Sequence, residues 1–129
     1  MNEPTPTERQ LAILKVIWDR GEATVREIYE TMRESGPVVQ NTVQALLRTM
    51  AEKGLVRYEQ RGRTFYYRAE VEPEATKLRL LDSVLQRVYD GAIDRLVENA
   101  ISLKNPSESE IARLRALVDE LDKTKDSDA

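Results

Sequence analysis

One stretch of the chain abandons helical spacing, and it restricts the fold more than any other feature. Leu55-Val56-Arg57-Tyr58-Glu59 and Thr64-Phe65-Tyr66-Tyr67-Arg68 are rich in β-branched and aromatic residues and are separated by Gln60-Arg61-Gly62-Arg63. That is the pattern of a β-hairpin with a basic tip. An isolated hairpin is marginal in water, so this one has to lean on whatever precedes it.

What precedes it reads as three short amphipathic helices. Thr5-Pro6-Thr7-Glu8 offers a cap residue, a proline at the first helical position and a glutamate three residues after the cap, which predicts a helix start at Thr5. Leu11, Ile13, Leu14, Ile17 and Trp18 form one broad apolar stripe running to about Asp19, with Gly21 as a stop. Thr24-Val25-Arg26-Glu27 repeats the capping-box pattern, and Val25, Ile28, Tyr29 and Met32 follow at i, i+3, i+4, i+7 before Ser35-Gly36-Pro37. A third helix is expected from about Asn41 to Lys53, with Val43, Leu46, Leu47 and Met50 inward and Gly54 closing it. Helix, helix, helix, hairpin is the order of a winged helix.

Beyond Glu70-Val71-Glu72-Pro73 the pattern is purely helical. Leu78, Leu81, Leu85 and Val88 share one side of a helix reaching about Asp90-Gly91, Ile93, Leu96, Val97 and Ala100 mark a shorter one, and Asn105-Pro106 breaks it. Ser107 and Glu110 then cap a last helix whose Ile111, Leu114, Val118 and Leu121 fall at near-heptad spacing. Helices this few and short cannot bury all these stripes alone, so a second copy of the chain is the simplest partner. The expected architecture is mainly α with a small β-hairpin: a winged helix-turn-helix DNA-binding domain over residues 1–70, a helical dimerisation region over 74–123, and a polar, fraying tail over 124–129, counted from just after Lys123.

Composition removes most chemistry. The 129-residue chain has no Cys and no His, so disulfides, thiolate nucleophiles and the commonest metal ligand and general base are all missing. No Gly-rich phosphate loop and no acidic pair in an apolar setting points to catalysis. Asp119, Glu120 and Asp122 lack the Gly-containing loop of a carboxylate metal site and read as a solvated helix face. The expectation is therefore no enzyme, no cofactor and no metal. The opening MNEPTPTERQ lacks the basic start and apolar run of a leader, and no stretch approaches the roughly 20 apolar residues of a membrane span, so a cytoplasmic chain with no membrane partner is expected.

The net charge is −3, yet residues 40–69 hold 6 Lys and Arg against 2 Asp and Glu, while 70–129 hold 9 against 14. Phosphate neutralisation depends on local charge, and the positive surplus sits in the third helix and hairpin. With its apolar residues turned inward, the third helix presents Gln40, Asn41, Gln44 and Arg48, with Thr42 near its start. Amides and guanidinium pair bidentately with adenine and guanine edges in the major groove. An ordinary solvated helix face would carry the same residue types. At the hairpin tip Gly62 lets the turn close between Arg61 and Arg63, whose guanidiniums suit phosphates or a narrow minor groove. A charged turn that only keeps the protein soluble is the plainer reading, and Arg57 and Arg68 flank the same hairpin. Trp18, Tyr66 and Tyr67 lie on an apolar stripe and a strand, where packing is a better use for them than base stacking.

The run Thr42-Val43-Gln44-Ala45-Leu46-Leu47-Arg48-Thr49-Met50-Ala51-Glu52-Lys53-Gly54-Leu55-Val56, followed by Arg61-Gly62-Arg63-Thr64-Phe65-Tyr66-Tyr67, resembles the penicillinase-repressor family of BlaI/MecI type, and the likeness extends from Thr7-Glu8 through the C-terminal helices. The resemblance implies a winged-helix homodimer that binds double-stranded DNA at a palindromic operator and represses genes for β-lactam resistance or other stress responses. It places Thr42, Gln44 and Arg48 on the recognition helix and Arg61-Gly62-Arg63 on the wing. Ala45 stands where Thr is common in the family, and Thr49 where a basic residue is common. In antibiotic-responsive members a sensor protease cuts after an Asn and before a Phe. The pair that aligns with this bond is Asn99-Ala100, which keeps the Asn and loses the aromatic residue. Copper-responsive relatives carry a C-terminal cysteine cluster, which this chain lacks. The competing expectation from another class is a winged-helix adaptor for protein contacts, since a fold does not dictate its use.

Overall fold

The computed structural model describes residues 4–128, with side chains through Lys125; Met1, Asn2, Glu3 and Ala129, the ends of the expected first domain and tail, lie outside the described residues. The elements in chain order are α1 (Glu8–Arg20), β1 (Ala23–Thr24), α2 (Val25–Met32), α3 (Gln40–Lys53), β2 (Val56–Arg61), β3 (Thr64–Ala69), α4 (Pro73–Arg87), α5 (Ile93–Lys104) and α6 (Glu108–Asp128). The chain forms two compact units, one ending at Ser83 and one beginning at Val84, so the division between them falls inside α4.

In the first unit, α1 starts two residues later than expected. Thr7, not Thr5, is the N-cap: its hydroxyl accepts from the Gln10 N–H and the Gln10 side chain accepts from the Thr7 N–H. Gln10 completes the box better than Glu8 because it sits at the third helical position, where the side chain reaches back to the cap. Thr24 and Glu27 make the expected reciprocal box at the start of α2. Gly54, at φ 84°, closes α3, and the following Leu55 N–H donates to the Met50 carbonyl at 2.9 Å. This left-handed closure turns the chain directly into β2.

The sheet has three antiparallel strands in the order β1-β3-β2. The hairpin pairs Val56 with Ala69 through Arg61 with Thr64, so Gln60 and Arg61 belong to the strand and the turn is only Gly62-Arg63. Gly62 carries a positive φ of 64° and Arg63 does not, the type II′ arrangement whose twist matches the flanking strands. β1 is a two-residue edge on the far side of β3, pairing Ala23 with Tyr67 and Thr24 with Tyr66. Nothing in its local sequence announces a strand, because the partner lies more than forty residues away.

Ile13, Leu14, Ile17, Ile28, Val43, Leu47, Met50 and Leu55 are fully buried in one core joined by Ala23, Val56 and Val71. This core anchors α3 from beneath, so its outer face is held rigidly. Truncating Leu47 to Ala would cost about 2–5 kcal/mol. The Trp18 indole N–H donates to the Val71 carbonyl at 2.9 Å and ties α1 to the segment entering α4.

In the second unit, α4 has ended at Arg87, short of Asp90-Gly91, because Asp90 (φ 51°) and Gly91 (φ 85°) both turn left-handed. Asn105 (φ 49°) caps α5, and Ser107 and Glu110 form the predicted capping box of α6. That last helix continues to Asp128, past the expected limit at Lys123. An open apolar groove of about 400 Å³ runs between α5 and α6, lined by Leu96, Val97, Ile101, Leu114 and Leu117 among others. Among the described residues, no helix is long and apolar enough to cross a membrane.

Candidate nucleic-acid interface

The buried positions of α3 are Val43, Leu47 and Met50, which places Gln40, Asn41, Gln44 and Arg48 on the exposed side and leaves Thr42 half-buried. The helix begins at Val39 with no side chain capping it. Opening N–H groups of such a helix favour an anionic neighbour. Val39 itself is 62% exposed, an apolar contact beside the amide-bearing turn that sequence reading passed over because a lone valine outside a stripe carries no signal.

The hairpin has two chemically different faces. On one, Tyr58, Phe65 and Tyr67 cluster, with Tyr58 and Phe65 edge to face at 5.3 Å and Tyr58 and Tyr67 at 5.7 Å between ring centroids. Burial first, then the Tyr58 phenol, pushes the Tyr67 hydroxyl above its ordinary value, while the Arg48 guanidinium pulls it back down. Arg48 of α3 and the aromatic face of the hairpin thus share one electrostatic neighbourhood. Half-buried Tyr67 packs against the core as expected, but Tyr58 and Phe65 stay largely exposed.

The other face is ionic. Arg61 donates to both Glu22 oxygens at 2.7 and 3.0 Å and to Glu59 at 2.6 Å, and its guanidinium carbon lies 4.5 Å from the Tyr66 ring centroid. Arg68 also donates to Glu22, at 2.9 Å. The Arg61 hydrogen bond is the main cause holding the Glu22 carboxyl below the usual carboxylate range, against the smaller opposing effect of desolvation. Arg57 pairs with Glu70 at 3.6 Å. Among the described residues, Arg48 and Arg63 have no ion-pair partner.

The structure therefore brings Gln40, Asn41, Thr42, Gln44 and Arg48 onto one helix and sets Arg63 at the turn, while Arg61 is drawn away into a carboxylate pair. Glu22, Arg68 and Tyr66 were not separable in the sequence, since Glu22 and Arg61 are 39 residues apart and meet only when β1 docks on β3.

Residues 6–120 match the penicillinase repressors. The chain belongs to that family. It is 24% identical over 117 residues to the penicillinase repressor of Bacillus licheniformis, covering 91% of each chain. Against the methicillin resistance regulatory protein MecI of Staphylococcus aureus (strain N315) it is 24% identical over 106 residues, 82% of this chain and 86% of the relative. In fold it is similar to the monomeric form of Bacillus licheniformis BlaI, whose solution structure was determined in complex with the blaP half-operator: the TM-score is 0.50 at 22% identity, over 57% of this chain and 89% of the other.

The positions expected to serve dimerisation lie in both units. Leu78 and Leu81 are exposed on α4 before the division, and beyond it Val88, Ile93, Val97, Ile111, Leu114, Val118 and Leu121 are exposed while Leu85 and Leu96 are half-buried. Val84, Ile101, Leu103 and Leu117 are exposed as well. Three of these were legible: Val84 follows Leu81, Ile101 follows Val97 and Leu117 follows Leu114 at helical intervals. Asn99 and Ala100 sit exposed within α5, where the Asn99 side-chain amide donates to the Tyr89 hydroxyl at 3.0 Å.

Proposed function

We propose that the protein is a sequence-specific DNA-binding transcriptional repressor that acts in the cytoplasm as a homodimer on a pseudo-palindromic operator, with α3 in the major groove and the β2–β3 turn on the flanking backbone. The observation that carries the reading is the exposed Gln40, Asn41, Gln44 and Arg48 face held over a fully buried core, with Arg63 unpaired at the adjoining hairpin turn. Base-edge donors and acceptors on a rigid helix supply sequence readout, and free guanidiniums supply phosphate contacts. Membership of a repressor family points the same way, and so do relatives that regulate penicillinase and methicillin resistance. Two-fold symmetry would come from the exposed apolar residues of α4, α5 and α6 packing against a second copy, which sets two recognition helices on two half-sites. A sensor protease that opens the dimer by cutting at Asn99-Ala100 completes the reading taken from the family.

The test is binding of the purified protein to the promoter region of its own gene and to random duplex of equal length across a salt series, with footprinting and a mass measurement in solution. Preference for the promoter with two symmetric protected half-sites and a dimeric mass is the expected result. Binding without preference would leave a DNA-binding fold whose targets lie elsewhere. No binding to either duplex would refute the DNA reading in favour of a protein adaptor.

A further inference from the structure

We propose that Glu22 is a built-in stand-in for a DNA phosphate: in the free protein its carboxylate fills a seat made by Arg61 and Arg68, and a backbone phosphate takes its place on binding. The inference rests on the DNA-binding reading above and adds a residue and a site to it.

Three guanidinium N–H groups converge on one carboxylate, two from Arg61 at 2.7 and 3.0 Å and one from Arg68 at 2.9 Å. A guanidinium fork fits a phosphate as well as it fits a carboxylate. Tyr66 lies under the Arg61 guanidinium at 4.5 Å, and this contact does not involve Glu22, so the seat keeps its shape when the occupant changes. The participants remain accessible: the Arg61 and Arg68 side chains are 42% and 50% exposed and Glu22 is 28% exposed. Exposed ion pairs are weak, which makes the exchange feasible. Glu22 precedes β1, and β1 is held to β3 through Thr24 and Tyr66, so the carboxylate is delivered to the hairpin by the sheet and not by a mobile tail.

The consequence is a uniform handicap on binding. Arg61 must leave Glu22 before it can hold a phosphate, and this cost is the same for every DNA sequence. Removing the charge at position 22 therefore tightens binding to any duplex, and the gain runs mainly through Arg61, which makes two of the three bonds, and then through Arg68.

The experiment measures binding of the full-length protein, Glu22→Gln, Arg61→Ala and the double variant to a short random-sequence duplex across a salt series, with thermal melting to confirm that each is folded. Glu22→Gln is expected to bind about two- to fivefold more tightly than the parent, the range of one exposed ion pair. Arg61→Ala is expected to weaken binding and reduce the salt slope by about one. In the double variant the gain from Glu22→Gln should shrink, since only Arg68 is then left for Glu22 to hold. Glu59→Gln, which removes the carboxylate charge from the partner of the Arg61 Nε–H at 2.6 Å, should tighten binding in the same direction and covers the case in which Glu22→Gln does not fold. If the parent binds DNA and neither glutamine variant tightens it, or the gain is undiminished without Arg61, the stand-in is refuted while the DNA reading stands. If the parent binds no duplex at any salt, both fall together.

Discussion

Replacing Trp18 with Phe isolates one hydrogen bond that holds α1 to the segment entering α4. The indole N–H donates to the Val71 carbonyl at 2.9 Å across 53 positions of sequence, and Val71 is itself buried. Phenylalanine keeps most of the apolar surface and removes the donor. A buried acceptor left without its partner costs about 1–3 kcal/mol. An open recess is bordered by Trp18, Gly21 and Val71, and water entering it beside the smaller ring would offset part of the penalty, which places the expected loss at about 1–2 kcal/mol. The smaller ring forfeits on the order of 20 Å² of buried apolar surface, adding about 0.5 kcal/mol. With roughly 4–8 °C of melting temperature per kcal/mol in a domain of this size, the midpoint should fall by on the order of 10 °C. Circular dichroism is the right probe because the substitution removes the only tryptophan in the chain. DNA affinity of the folded variant should be unchanged. A midpoint within about 2 °C of the parent would refute the structural role, and lost DNA binding at unchanged stability would restore Trp18 as a stacking residue.

Two further predictions concern readout and acid stability. Gln44→Ala should weaken binding to the preferred operator by about 1–3 kcal/mol and leave random duplex nearly unaffected, whereas Arg63→Ala should weaken both alike; a gel-shift comparison of the two duplexes separates them, and equal losses for Gln44→Ala would remove its assigned role. The Glu27 carboxyl is held below its ordinary value of 4.5 chiefly by the Thr24 N–H and then by Arg20, and that of Glu110 chiefly by the Ser107 N–H. A depressed folded value means that each contributes stability above about pH 4.5 and loses it as the pH falls through the folded value. Melting midpoints should therefore drop below that pH, and less steeply in Glu27→Gln, whose amide keeps an acceptor but does not titrate; an unchanged slope would deny the linkage.

The local grammar of this chain was legible wherever the determinant lay within a few residues. Thr24 with Glu27 and Ser107 with Glu110 announce their helices because a capping box spans three positions, and Gly54 announces an end because a left-handed residue is needed there. The inward residues of α3 follow from spacing alone, which fixes the outward ones by subtraction. What spacing could not supply was pairing between distant segments. Ala23-Thr24 becomes a strand only because Tyr66 and Tyr67 offer an edge, and Arg61, which already has Glu59 beside it on its own strand, gains a second carboxylate because β1 brings Glu22 with it. Counting charges over residues 40–69 gives the right sign for the region and overstates how much of the charge is free, since Arg57, Arg61 and Arg68 are all paired with carboxylates in the unbound protein.

The position of Asn99-Ala100 makes proteolysis a test of assembly. Both residues are exposed, but the bond between them lies inside α5, and a protease needs several residues in extended form, so cutting requires the helix to open. α5 has 12 residues, a length at which an isolated helix is marginal in water. Its persistence must come from packing of its apolar side, and Val97 and Ile101 remain 38% and 42% exposed on a single chain. If a second copy covers them, dimerisation closes α5 and dilution opens it by mass action. Limited proteolysis read by mass spectrometry should then show cleavage near Asn99 accelerating as the protein is diluted through its dimer–monomer transition, and Leu117→Glu, which places a charge in the α5–α6 groove, should cleave rapidly at every concentration. The Asn105–Pro106 bond serves as an internal control, because the proline resists most proteases whether or not the helices are packed. Equal cleavage rates at concentrations where solution mass shows dimer and monomer would mean that α5 is held by its own chain and that assembly does not guard this bond.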